Sequence, residues 1–288
     1  MRRAFIVTDS TADIPKELAD ELHIRIVPLT VMFGEEAYLD GIEMPAERFY
    51  PELVKSKELP TTSQPSPAEF AHIYETILKA QPDAQIISIH LSSGVSGTYQ
   101  SATIGRSMLD DEQPVTVYDS KSASYGYGYL VVHAARMAAA GREAAEIIRS
   151  LEELGRQRQL YFLVDKLEYL QKGGRIGKAA AAIGTLLNIK PILSIDQDGI
   201  IYSVEKARGH KKAMNRIVEM LEQKVKGQRI HVVLGHTADL STVVGLTEIL
   251  RSRFDVADVL YTEIGSVIGT HVGPGTIAVF VWPAGDEG

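Results

Sequence analysis

The sequence predicts an α/β fold of two domains: a mainly parallel sheet in the first, a mixed α/β arrangement in the second, and a ligand held between them. Three observations predict it. Through the first half, short β-branched runs alternate with segments of helical spacing, the pattern of a parallel sheet covered on both faces. Beyond residue 160 a hairpin signal and closely spaced strands point instead to antiparallel pairing. The 288 residues also exceed the roughly 150 of a common single domain. The boundary is expected between residues 159 and 160, giving an N-terminal α/β domain, 1–159, and a C-terminal one, 160–288. No internal repeat or low-complexity linker interrupts the chain, so the two are expected to pack closely.

Residues 4–7 and 24–31 are apolar and β-branched, so each is expected as a strand. Between them, residues 15–23 open on Pro15, whose fixed φ suits a first helical position. Residues 85–91 and 115–118 add two apolar strands, while 67–80, 96–109, 125–140 and 142–156 carry helical spacing. Three of these strands run into polar turns, Thr8-Asp9-Ser10, Ser92-Ser93-Gly94 and Asp119-Ser120. In open parallel sheets, ligands sit at such carboxyl ends. In the second half, 160–164 reads as a strand and 166–171 as a short helix before the turn Gly173-Gly174-Arg175-Ile176-Gly177. Residues 179–187 are apolar nearly all round, which predicts a helix buried in the core or lying against a ligand. Strands 189–195 and 200–207 flank Asp196-Gln197-Asp198-Gly199, a hairpin signal. Helix 211–225, strand 230–235, helix 241–254 and strand 257–264 follow, and strand 276–282 closes the domain before a polar tail.

Composition narrows the function classes. With 45% hydrophobic and 23% charged residues the chain reads as an ordinary globular protein. It has no cysteine, which removes disulfides, thiolate nucleophiles and cysteine-bound metals and points to a reducing, cytoplasmic setting. Only four apolar residues separate Met1-Arg2-Arg3 from Thr8-Asp9-Ser10, too few for a signal peptide. The longest apolar run, 179–187, is interrupted by Gly184 and Thr185 and cannot span a bilayer. Charge is uneven: residues 1–160 hold 15 basic and 23 acidic residues, whereas 166–229 hold 13 basic and 6 acidic. That basic segment is either a solvated face with helix-end lysines or a surface for an acidic partner or phosphate donor. A pI near 5.7, without interleaved aromatic and basic residues, argues against nucleic acid.

Three loops rich in glycine and hydroxyls carry the chemistry. They are Thr61-Thr62-Ser63-Gln64-Pro65-Ser66, Ser92-Ser93-Gly94-Val95-Ser96-Gly97-Thr98 and His271-Val272-Gly273-Pro274-Gly275-Thr276. Each offers compact donors beside residues that let backbone approach a ligand, and none contains lysine or arginine. Together they suit one small anion, such as a carboxylate, with His271 read as a loop histidine whose imidazole can donate. Taken singly, each also reads as a turn or a helix cap. Other signatures fail. The segment from Gly173 to Lys178 has three residues between its glycines where a P-loop needs four, and Ala179 stands where Ser or Thr would bind magnesium. Gly94-Val95-Ser96-Gly97 lacks the spacing of a nucleophile elbow, and Ser203-Val204-Glu205-Lys206 lies in a strand without its companion motifs. The eight histidines show no metal-ligand spacing, so no metal is expected. Asp9 and Asp13 read as a turn residue and a helix N-cap.

Asp9-Ser10-Thr11-Ala12-Asp13, Thr62-Ser63-Gln64-Pro65-Ser66, Ser92 to Thr98, Asp119-Ser120, Gly173-Gly174-Arg175-Ile176 and His271 to Gly275 occur in one order. As an ordered set, over essentially the whole chain, they resemble the DegV family. The resemblance implies a two-domain DegV-like fold that holds one long-chain fatty acid in an apolar tunnel. Its carboxylate would be bound by Thr62, Ser93 and His271, with Ser63, Gly94, Gly273 and Gly275 shaping the supporting loops. Val95 departs from the family's more usual leucine but stays apolar. The resemblance also implies that the chain is not itself an enzyme and has no catalytic residue and no cofactor. A separate ATP-dependent kinase subunit would phosphorylate the presented carboxylate, and the acyl phosphate would feed phospholipid synthesis. Arg175, in the Gly-Gly-Arg-Ile element, is the implied kinase contact, and Arg208, within the basic 166–229 segment, is a second candidate, their bland alternative being surface salt bridges. Transient contact with a membrane surface would accompany lipid exchange. Two rivals remain: a small-molecule kinase or transferase substrate domain related to dihydroxyacetone kinase, and a lipid-sensing regulator.

Overall fold

The computed structural model describes residues 3–110, 113–182 and 188–284. The chain starts with β1 (Ala4–Asp9), α1 (Lys16–Glu21) and β2 (Arg25–Val27). It continues through β3 (Thr30–Phe33), β4 (Glu36–Leu39), α2 (Ala46–Lys55) and β5 (Thr61–Ser63). Next come α3 (Pro67–Ala80), β6 (Gln85–His90), α4 (Thr98–Ser107), β7 (Val115–Asp119), α5 (Tyr125–Ala139) and α6 (Ala144–Gln157). The second half holds β8 (Gln159–Leu163), α7 (Glu168–Lys172), β9 (Ile189–Ile195), β10 (Ile201–Arg208) and α8 (His210–Lys224). It ends with β11 (Ile230–His236), α9 (Ser241–Arg253), β12 (Val256–Glu263), α10 (Ser266–Val272) and β13 (Ile277–Pro283).

The first sheet, in the order β2-β1-β6-β7, is parallel throughout. Successive strand residues point to opposite faces, and here both faces are apolar. Ile6 and Ile87 pack with Leu130 of α5 and Ile147 of α6, whereas Val7 and Ile86 pack with Phe70 and Tyr74 of α3. Helix α3 begins where the sequence is most explicit: Pro67 takes the first turn, and Ser66 and Glu69 cap each other's backbone N–H groups. The doubly covered parallel sheet is as expected.

The second sheet has six strands in the order β10-β9-β8-β13-β11-β12, antiparallel except for β11 beside β12. One face, with Val232 and Val279, lies under Ile217 and Leu221 of α8 and Leu246 of α9. The opposite face, with Leu160, Phe162, Phe280 and Trp282, turns towards Tyr125 of α5 and Leu154 of α6. Tyr129 stacks on Trp282 at 4.1 Å, and Phe280 stands 6.4 Å from the same indole. Buried bonds join the halves: Tyr50 donates to the Ile264 carbonyl at 2.6 Å, Ser92 Oγ to the Gly199 carbonyl at 2.8 Å and Ser266 Oγ to Asp40 at 2.6 Å.

Four features depart from the sequence expectation. Residues 24–31 are not one strand: Pro28 interrupts the ladder, so the chain leaves the first sheet at Val27 and enters a three-stranded antiparallel sheet, β4-β3-β5, at Thr30. Within that sheet, Thr61–Ser63 is a strand rather than a free loop, with Thr62 opposite Val31. Residues 179–187 do not begin as an α-helix: Gly177–Ala182 is a 3₁₀ turn, and 183–187 lie outside the described residues. Finally, Asp13 is not a helix N-cap but the C-cap of a 3₁₀ turn, Ser10–Ala12. Pro15 holds the N-cap position of α1, and Asp13 is a left-handed residue whose buried carboxylate accepts the Gly265 N–H at 3.0 Å and the Ser124 hydroxyl. Burial raises its pKa well above the usual carboxylate range, against the lowering effect of the Ser124 hydrogen bond.

Candidate functional site

A cavity lies at the junction of the two halves. Leu91, Val95 and Ala123 from the first half and Phe162, Ala278 and Phe280 from the second form much of its apolar wall, and α10 adds Val267, Ile268 and Val272. Its polar lining comprises Thr62, Gln64, Ser96, Ser124, Arg175, His271 and Thr276. An apolar interior with a few convergent polar groups is the usual form of a small-ligand site.

The polar contact is built by β5 and α10. Pairing with β3 fixes the backbone of Thr62, and the last turn of α10 delivers His271, so that Thr62 Oγ1 and His271 Nε2 lie 2.8 Å apart. His271 is thus a helical residue, not a loop one. The misreading has a physical cause: α10 has seven residues between Gly265 and Gly273, too few to show a helical period. Burial, followed by the positive charge of Arg175, pushes the His271 pKa down to about 4, so the ring is neutral at pH 7. Its Nδ1 is buried and has no hydrogen-bond partner among the described residues.

The structure brings Thr62 and His271 together and leaves Ser93 apart. Ser93 is exposed; its N–H donates to Asp119 at 3.2 Å, and its hydroxyl accepts from Lys121 at 3.1 Å. The reason is the tight turn after β6, in which the Val95 and Ser96 amides both bond the Ser92 carbonyl, at 3.1 and 3.2 Å. That turn leaves Ser93 on the surface and brings Ser96 to the cavity wall, its Oγ 2.9 Å from Thr98 Oγ1. Ser63 is exposed on β5. Gly94 serves a loop-to-loop contact, since a β-carbon there would lie 2.6 Å from the Gly199 carbonyl oxygen. Gly273, at φ +75°, ends α10 against the Tyr169 ring, and Gly275 follows at φ +77° beside Asp165.

The two arginines occupy different places. Arg175 lines the cavity; its Nε donates to the Val95 carbonyl at 3.0 Å and its Nη1 to the Gly173 carbonyl at 2.7 Å. Arg208 is exposed at the end of β10. Sequence reasoning missed Gln64 and Ser96 as wall residues, although both lie inside loops it singled out. It also missed a Ser88–His90–Asp9 line, with Oγ···Nε2 at 2.7 Å and Nδ1···Oδ2 at 2.8 Å. All three residues are fully buried, and Tyr74 donates to Ser88 at 2.7 Å, so this is a sealed network and not a nucleophile. Among the described residues, no group of three or more His, Asp or Glu could hold a metal ion, and no helix is long and apolar enough to cross a membrane.

Fold and site together define an α/β protein with a mostly apolar cavity at the junction of its two larger sheets. The chain belongs to the DegV family, whose model, described as "Uncharacterised protein, DegV family", matches residues 3–284. Protein DegV of Bacillus subtilis (strain 168) is 41% identical over 276 residues, which cover 95% of this chain and 97% of that protein. A Thermus thermophilus DegV-family structure, described for its fatty acid binding, superposes with a TM-score of 0.91 at 36% identity, covering 98% of this chain and 100% of the other. A stearic acid-binding protein from Eubacterium ventriosum superposes with a TM-score of 0.87 at 29% identity, covering 96% and 97%.

Proposed function

We propose that this protein binds a long-chain fatty acid, its tail in the apolar cavity and its carboxylate at the Thr62–His271 contact. The observation that carries this reading is the hydrogen-bonded Thr62–His271 pair at the wall of a mostly apolar cavity. Burying a tail of roughly 14 methylenes is worth about 11 kcal/mol against water, at about 0.8 kcal/mol each. A membrane offers a comparable gain, so the polar end must supply the selectivity for a free acid. A desolvated carboxylate needs donors. Thr62 and Ser96 hydroxyls, the Gln64 amide and the Arg175 guanidinium stand at the same wall to provide them. Ser93, exposed beside Lys121, is better placed for a partner than for the buried head group.

The finer reading is that the protein presents the carboxylate to a separate ATP-dependent kinase subunit, and that the acyl phosphate serves phospholipid synthesis. Lys178, the lysine of the P-loop-like segment, is paired with Asp196 and Asp198, which supports leaving nucleotide binding to a partner. Arg208, exposed in the basic segment, is the candidate partner contact, and a brief membrane encounter in the cytoplasm would load the lipid. Native mass spectrometry of gently purified protein tests the first step: a co-purified fatty acid is expected. An empty protein that hydrolyses ATP unaided would support the rival transferase reading instead.

A further inference from the structure

Gly173, just after α7, lies against the one buried nitrogen of His271 that has no partner. A β-carbon at Gly173 would sit 2.3 Å from His271 Nδ1, closer than any real contact, so only the bare Cα can face that atom. The nitrogen is closed off from solvent, and no described residue bonds it. A proton on Nδ1 would therefore be a buried donor with no acceptor among the described residues, whereas a lone pair there faces the Gly173 Cα, whose hydrogens make a weak favourable contact. The positive charge acting on the ring is Arg175, which also favours a lone pair over an added proton.

Resting on the fatty acid reading, we infer that Gly173 is a positioning residue that holds His271 as the neutral tautomer protonated at Nε2, which makes Thr62 the obligate hydroxyl donor to the bound anion. The chain of consequence is short. With Nε2 carrying the proton, the 2.8 Å bond runs from Nε2–H to Thr62 Oγ1. Thr62 then accepts from the histidine, and its own hydroxyl hydrogen is directed to a ligand oxygen at the cavity wall. The opposite tautomer would reverse the bond, leaving Thr62 with only lone pairs to offer a carboxylate, which repels them. Gly173 thus selects an anion over a neutral donor ligand without touching it.

The test needs no lipid in its first arm. Histidine nitrogens labelled in the full chain report the tautomer by NMR, and His271 should show Nε2 protonated and Nδ1 bare from about pH 5.5 to about pH 8. An Nδ1–H or doubly protonated ring in that range overturns the inference while leaving fatty acid binding untouched. The second arm measures stearate affinity. Thr62→Val and Gly173→Ala should each lose about tenfold, the worth of one hydrogen bond, and Thr62→Ser, which restores the hydroxyl, should recover most of the affinity that Thr62→Val loses. Equal binding by Thr62→Ser and Thr62→Val would also overturn it. If Gly173→Ala does not fold, the tautomer and the two Thr62 variants decide alone. If no variant, nor the parent, binds stearate, the functional reading fails and the tautomer result still stands.

Discussion

His90 and His271 share a chemistry and differ in completion. His90 bonds Ser88 through Nε2 and Asp9 through Nδ1, both at contact distance and fully buried. His271 bonds Thr62 through Nε2 and leaves Nδ1 without a partner, at the wall of a cavity. One imidazole is spent on tying β1, β6 and α3 together; the other is closed off at Nδ1 and holds a hydroxyl, Thr62, at a cavity wall. The difference teaches that a histidine–hydroxyl pair becomes a site through what it leaves unsatisfied and what it faces.

The largest expected effect breaks the completed pair. Asp9 accepts from Thr11, Tyr127 and His90 in the interior, so Asp9→Ala should cost about 3–5 kcal/mol in urea unfolding by stranding those donors. A loss below about 1 kcal/mol would show that the network tolerates opening. Next, His271→Ala should weaken stearate binding by about tenfold to a hundredfold, yet change stability far less than Asp9→Ala. Equal stability losses in the two variants would erase the contrast between them.

Acid should expose the open pair as well. The folded pKa of His271, about 4, lies below its ordinary 6.5, so the unfolded chain binds more protons between those values. Its contribution to stability is therefore complete above about pH 6.5 and is lost as pH falls towards about 4. Asp13 and Asp40 work in the opposite sense, because burial raises both, and their contribution is lost as pH rises through their folded values. His271→Asn should flatten the acid side of the stability profile, and an unchanged slope would count against a buried neutral ring. The smallest effect belongs to Arg208→Ala. We expect stability within about 0.5 kcal/mol of the parent and unchanged stearate binding. Kinase-dependent phosphorylation, assayed with a purified partner subunit, should fall; full activity would remove Arg208 from the proposed contact.

The sheet architecture was legible because β-branched runs such as Ile86-Ile87 recur between helices with clear starts such as Ser66-Pro67. The small sheet was not legible. Pro28 splits one apolar run between two sheets, and three-residue strands such as Thr61–Ser63 carry no period. Helix α2 was hidden by Pro51 inside it, though Phe49, Tyr50 and Leu53 bury one face. At the site, residue types were readable and directions were not. Ser92, Ser93 and Ser96 are equivalent donors in sequence, and only the turn after β6 decides which faces the cavity. The roles of Gly173 and Gly94 depend on what packs against them from distant segments, which spacing along one chain does not encode.

The stack of Tyr129, Trp282 and Phe280 has an optical consequence. The chain has one tryptophan, and its indole is buried with Nε1 unpaired, one aromatic ring removed from the cavity wall. Tryptophan emission from this protein, excited selectively over its tyrosines, therefore comes from a single, dry environment whose neighbour Phe280 lines the cavity. Titrating stearate into the unlabelled protein should shift or quench that emission with a saturating curve, so the molecule carries its own binding meter.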